Sequence, residues 1–168
     1  MPTVIVEDGT GKADANSYIS RAAADSYFDT QLRTTPWTGA SNDDKDRALI
    51  MATAQVDSFV RWYGRRKTKA QALAWPRVNV VDYDGYEVPS DEVPVEVQEA
   101  AAEMAKALLE GDRLADSDTV GVKRVKVDVI EIEADKYSGL APLPKIVASK
   151  LVGFGSVSGG MVGVIVRA

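Results

Sequence analysis

The sequence predicts a mainly α-helical protein, a small bundle of about four helices with a few short β-strands or hairpins and an extended C-terminal arm. Three observations predict it. Four stretches set apolar residues at three- and four-residue steps behind a capping residue or a proline. Strand-like alternation is confined to short runs. The end of the chain, from Gly153, opens on Gly and Ser residues that cannot pack as a regular element by themselves. With 168 residues, 45% of them apolar, the chain has enough material for one core. Residues 1–152 therefore read as a helical domain with β-strand elements, and 153–168 as the arm.

The helices follow in order. Ser20 is a candidate N-cap, because its hydroxyl can accept from an orphan amide of the first turn, and Ala23, Ala24, Tyr27 and Phe28 then share a face. This helix is expected to end near Leu32, before Thr34-Thr35-Pro36. The second is capped by Ser41 or Asn42, with Asp43 and Asp44 in the first turn, where the helix dipole favours negative charge. Its stripe of Leu49, Ala52, Val56, Phe59 and Tyr63 leads to Gly64, a natural stop. Pro94 opens the third, with Val97, Ala101, Met104, Ala105 and Leu108 behind it and Gly111 at its end. Its Ala100-Ala101-Ala102 segment permits close approach of a neighbouring helix. A short fourth runs from Pro144 to about Leu151.

Thr3 to Val6 has the composition of a strand. Val80 to Val88 reads as a hairpin turning at Asp84-Gly85, a pair that tolerates positive φ. Val122 to Glu133 alternates, with a phase shift near Val129 that predicts a bulge or bend. Asp112 to Gly121 is polar and reads as a loop. Leu73-Ala74-Trp75-Pro76 reads as a packed anchor for the loop after the second helix. The arm ends in a β-prone tip, which leaves two readings: an arm that orders on a partner through Phe154, Met161, Val164 and Ile165, or a disordered terminus.

Composition excludes several chemistries. There is no Cys and no His, so thiolate nucleophiles, zinc–thiolate sites and His-based triads cannot be built. Asp43-Asp44 and Asp91-Glu92 read as helix-start acids rather than a catalytic pair. Asp82-Tyr83-Asp84-Gly85 lacks the later ligands of a calcium loop. The glycines after Gly153 have no phosphate-loop spacing. No catalytic motif, metal site or cofactor is expected, and the protein reads as a non-enzyme. The Met1–Val6 run stops at Glu7 and Asp8, too short for a leader or a membrane span, which predicts a soluble protein.

Net charge is −5, the wrong sign for a protein that coats nucleic acid over its whole surface. The basic residues nonetheless cluster. Arg61, Arg65, Arg66, Lys67 and Lys69 crowd the end of the second helix and the loop after it, with Trp62, Tyr63 and Trp75 among them and Arg77 beyond. Lys123, Arg124 and Lys126 form a second group. Three readings fit the first group: cations and aromatics of a single-strand stacking platform, dipole-favoured cations at a helix C-terminus, or contacts to an acidic protein partner.

Val4-Ile5-Val6-Glu7-Asp8-Gly9-Thr10-Gly11, Asp14 to Ser20 and Ala24 to Phe28 resemble the start of a tailed-phage protein family. The resemblance continues through Ala48 to Thr53, Arg61-Trp62-Tyr63-Gly64, Gln71-Ala72-Leu73-Ala74-Trp75-Pro76-Arg77, Val93-Pro94, Val122-Lys123-Arg124 and Leu143 to Leu151. The family is that of head-to-tail adaptor (connector, head-completion) proteins, some members of which are labelled DnaT-like single-stranded-DNA-binding proteins. The resemblance implies a helical bundle without catalysis or cofactor. It implies a ring, usually of twelve copies, under the portal protein at the virion neck, made in the bacterial cytoplasm. Partners would be neighbouring copies, the portal, the next tail protein and, in passing, packaged double-stranded DNA, with no membrane. The basic cluster Arg61, Arg65, Arg66, Lys67 and Lys69 would then border the DNA lumen or a neighbouring subunit. The alternative that the resemblance carries is single-stranded-DNA binding.

Overall fold

The computed structural model describes residues 2–82, 84–111, 125–127, 130–132 and 143–157. Ser20 does cap the first helix: its Oγ accepts from the Ala23 amide at 3.1 Å and α1 runs Arg21–Phe28. The helix stops short of Leu32. The Thr30 and Gln31 amides turn back to Tyr27 and Phe28 carbonyls, and the Thr30 hydroxyl also donates to the Tyr27 carbonyl. Thr34-Thr35-Pro36, expected only as a break, begins a one-turn helix, α2 (Thr35–Thr38), with Pro36 in its first turn. Trp37 holds that turn in place. Its ring packs 5.0 Å from that of Phe28, and its indole N–H donates to Asp25 Oδ1 at 2.8 Å.

Ser41 caps α3 (Asn42–Phe59) by accepting from the Asp44 amide while donating to the Asp44 carboxylate. The expected stripe buries Leu49, Ala52 and Val56, but the helix does not reach Gly64. Val60 is already extended (φ −108°, ψ 122°), and the chain continues as β1 (Val60–Trp62). The run Val60-Arg61-Trp62-Tyr63 is β-branched and aromatic, which suits a pleated surface better than a helix end. Tyr63 thereby leaves the core stripe and is 48% exposed.

Gly64, at φ +61°, turns the chain into β2 (Arg65–Arg66), which pairs antiparallel with β3 (Arg77–Val78). A Cβ at Gly64 would lie 2.3 Å from the Val78 carbonyl oxygen, so only glycine lets the turn sit this close. The Val80–Val88 hairpin is observed in reduced form: Val81 bridges Glu87, and the Val88 amide donates to the Val80 carbonyl at 2.9 Å.

The bundle is α3 against α4 (Val95–Glu110) and α4 against α5 (Lys145–Leu151). Ala100, Ala101 and Ala102 are fully buried, as small residues at a close helix–helix approach should be. Glu103 is buried on the side of α4 that meets α1, accepting from the Tyr27 hydroxyl at 3.0 Å and pairing with Lys106 at 2.6 Å. Lys106 also sits 5.3 Å from the Phe28 ring centre.

Three strand expectations are corrected. Thr3–Val6 forms no strand, only a bridge from Val6 to Ser17. The chain there is organised instead by Glu7, whose buried carboxylate accepts from the amides of Gly9, Gly11 and Lys12 at 2.8–2.9 Å. Within Val122–Glu133 the described residues form not one strand but two, β4 (Val125–Val127) and β5 (Ile130–Ile132), paired antiparallel, while Val129, the expected site of a bulge or bend, lies outside the described residues. The arm, finally, does not begin at Gly153. Gly155–Val157 is β6, paired antiparallel with β1 in the register Val60 to Val157, Arg61 to Ser156 and Trp62 to Gly155. Asp112–Gly121, Lys123, Arg124 and the arm residues Met161, Val164 and Ile165 lie outside the described residues.

Candidate nucleic-acid interface

Four exposed basic residues, Arg61, Arg65, Arg66 and Lys69, lie on β1, β2 and the loop to β3. Arg61 points outward between Val60 and Trp62, which face the core. Arg65, Arg66 and Lys69 are all exposed. Among the described residues none of these four has an ion-pair partner, whereas Lys12, Arg21, Lys45, Arg47, Lys106 and Lys150 are each bridged to a carboxylate. Lys67 is different: it is half-buried and its Nζ donates to the Gly9 carbonyl at 3.1 Å, so it serves the fold.

The scaffold under this strip is polar and buried. Arg77 is only 8% exposed, and its guanidinium donates to three carbonyls: Nε to Tyr63 at 2.6 Å, Nη2 to Gly64 at 2.9 Å and Nη1 to Ala74 at 3.0 Å. Burial pulls its pKa down from the ordinary arginine value. Gln71 shapes the loop that carries Lys69. Its Oε1 accepts from the Thr68 amide, and its amide nitrogen donates to the carbonyls of Leu73 and Pro76. Below these, the Tyr18 hydroxyl donates to Asp57 Oδ1, and the Ala74 amide donates to Asp57 Oδ2 at 2.8 Å. Burial pushes the Asp57 carboxyl up, and burial with the adjacent Asp57 charge pushes the Tyr18 phenol up.

The aromatic part of the sequence expectation changes. Trp75 is fully buried, edge-on to Trp62 at 5.9 Å and to Phe154 at 5.8 Å. Its expected role as a packed anchor is the observed one, and its face is not free to stack on a base. Trp62 is half-buried against the same core. Phe154 is a core residue at 8% exposure, not a free anchor on an arm. Tyr63 is the exposed aromatic of the strip, flanked in sequence by Arg61 and Arg65.

Sequence reasoning missed the roles of Arg77, Gln71, Tyr18 and Asp57. A signal existed for Asp57: Leu49, Thr53 and Asp57 form one i,i+4 row on α3, and a polar interruption of a buried row demands partners. An open groove of about 460 Å³, with Phe154 in its lining, is lined also by Asp82, Glu87, Glu92 and Glu96 and carries the opposite charge. Among the described residues there is no group of three or more acidic side chains placed to hold a metal ion, and no helix is long and apolar enough to cross a membrane.

One protein family matches residues 2–168, essentially the whole chain, and it is described as "Putative DnaT-like ssDNA binding protein". The chain belongs to this family. The DnaT-like family match takes in the strip, its scaffold and the bundle together. It agrees with the single-stranded-DNA side of the resemblance drawn from the sequence and makes no mention of head-to-tail adaptors. No curated protein and no solved structure matches the chain.

Proposed function

We propose that the protein binds single-stranded DNA along the strip formed by Arg61, Tyr63, Arg65, Arg66 and Lys69. The observation that carries the reading is that these four cations lie close together in sequence on β1, β2 and the following loop, exposed and without an ion-pair partner among the described residues, in a chain of net charge −5 where Lys12, Arg21, Lys45, Arg47, Lys106 and Lys150 are bridged to carboxylates. Unpaired Arg and Lys side chains neutralise phosphates and release counterions, and an exposed Tyr between them offers a face to an unstacked base. The acidic groove would repel the strand and so favour the basic strip. The family description supports the same reading. Fluorescence anisotropy with an oligo-dT tests it: four phosphate contacts predict a slope of about −3 in log K against log salt. No binding at low salt, or a flat salt dependence, would reject it.

A second reading, the structural adaptor of a phage neck, keeps a specific support. One subunit carries a basic strip and an acidic groove, the two unlike surfaces that a head-to-tail contact between copies requires. Electron microscopy of the chain mixed with a portal protein would show rings on this reading. Because Phe154 and β6 belong to the core, the matching truncation removes 158–168 only. Absence of rings, with assembly indifferent to that truncation, would end it.

A further inference from the structure

We infer that Arg77 is the positioning residue of the single-strand interface, its buried guanidinium clamping the β1–β2 turn so that Tyr63, Arg65 and Arg66 are held ready for the strand. The inference rests on the single-stranded-DNA reading above.

A buried guanidinium is expensive, and a carboxylate is its usual partner. Among the described residues Arg77 has no such pair and uses backbone carbonyls from two separate segments, Tyr63 and Gly64 of the turn and Ala74 of the following loop. The planar fork suits the clamp, because Nε and Nη2, on one edge, reach consecutive carbonyls while Nη1 reaches the loop. An ammonium on a flexible stem cannot reproduce that geometry. The clamp acts at a constrained point of the chain, since the positive φ and close approach of Gly64 leave room for no side chain. It is also built into the ladder, because Arg77 is the register partner of Arg66. Tyr63 is tied at its own amide as well, donating to the Phe154 carbonyl at 2.9 Å. The backbone beneath the exposed cations is therefore fixed before any ligand arrives.

Such pre-organisation acts on affinity through the population of the competent turn, not through contact with the ligand. Arg77 is too buried to meet a phosphate, so its loss and the loss of a contacting arginine have different signatures. The experiment compares Arg77→Lys with Arg65→Ala in the full chain, by anisotropy with an oligo-dT over a salt series. If the competent turn falls to about a fifth or a tenth of the population, Arg77→Lys raises Kd about five- to tenfold with an unchanged salt slope. Arg65→Ala instead flattens the slope by about 0.7. An Arg77→Lys protein that binds like the wild type, whatever its melting temperature, overturns the inference and leaves Arg77 a brace of the fold. A flattened slope overturns it too, since Arg77 would then be touching phosphate. A wild-type chain that does not bind oligo-dT rejects the parent reading and this one with it, a result distinct from both. Should Arg77→Lys fail to fold, hydrogen exchange on the wild type decides. The amides of Tyr63 and Lys67, bonded to the Phe154 and Pro76 carbonyls, are expected to be protected before oligo-dT is added. Protection that develops only on its addition would overturn the clamp.

Discussion

The Tyr18 hydroxyl donates to Asp57 Oδ1 at 2.5 Å and itself accepts from the amides of Ala74 and Trp75 at 3.1 and 3.3 Å. One phenol thus joins the segment before α1, the face of α3 and the loop that enters the Trp75 core. Tyr18→Phe leaves Asp57 without a donor on one oxygen and the Trp75 amide without this acceptor. The expected cost is about 1–3 kcal/mol, the penalty of unmade buried hydrogen bonds, read from urea denaturation. A midpoint equal to that of the wild type would show that the network contributes nothing.

Asp57 gives the fold a pH dependence of unusual sign. Its carboxyl is pushed up by burial, so between the unfolded and folded values the native state holds the proton more firmly than the unfolded chain. Stability from this group is present below the ordinary aspartate range and is lost as pH rises through the raised value. Asp25 and Asp44 act oppositely. Asp25 resists burial through its bonds to Lys45 and Trp37, and Asp44 is held down by Ser41 and Arg47, so both lose stability as pH falls below the ordinary range. In Asp57→Asn the decline toward neutral pH is expected to shrink. Melting temperatures of the two proteins from pH 4 to pH 7 check it, and parallel curves would refute it.

Trp75→Ala and Phe154→Ala remove edge-to-face partners from one buried cluster. Each is expected to cost about 3–5 kcal/mol in denaturation while leaving oligo-dT affinity unchanged at temperatures where the fold survives. A Phe154→Ala protein of normal stability would restore the free-arm reading of this residue.

Glu7→Gln replaces a carboxylate that accepts three backbone amides across both oxygens with a group offering one oxygen. The loss is expected to be about 1–3 kcal/mol, with faster hydrogen exchange at Gly9, Gly11 and Lys12. Unchanged exchange at all three amides would count against the carboxylate as organiser of the loop.

Arg61→Ala, Arg65→Ala and Arg66→Ala are surface changes and should each alter stability by no more than about 0.5 kcal/mol. Together they should remove most of the salt dependence of oligo-dT binding. Retention of a steep slope in the triple variant would place the interface elsewhere.

The helices were legible because caps and periodicity act locally. Ser20, Ser41, Pro94 and Pro144 mark observed starts, and Gly111 an observed end. The end of α3 was not, because Phe59 to Tyr63 fits the helical stripe as well as a strand, and the choice was made by β6, distant in sequence. The same partner drew Phe154 into the core. Of the site, the charges could be read from composition, as could the anchoring role of Trp75. What could not be read was the division of labour among the bases. Arg77 and Lys67 look like Arg65 and Lys69 in a sequence, and only the carbonyls that surround them distinguish brace from contact.

The pairing of Val60 with Val157 bears on how the molecule is made. On a ribosome, β1 emerges long before its partner, and the Trp62–Trp75–Phe154 cluster stays incomplete until synthesis has passed Phe154. α1 to α4 can gather early, while the hydrogen bond from Tyr63 to Phe154 waits until synthesis has reached Phe154. A nascent chain therefore cannot pair β1 with its partner strand until synthesis has passed Val157, whatever the Arg77 clamp has already fixed.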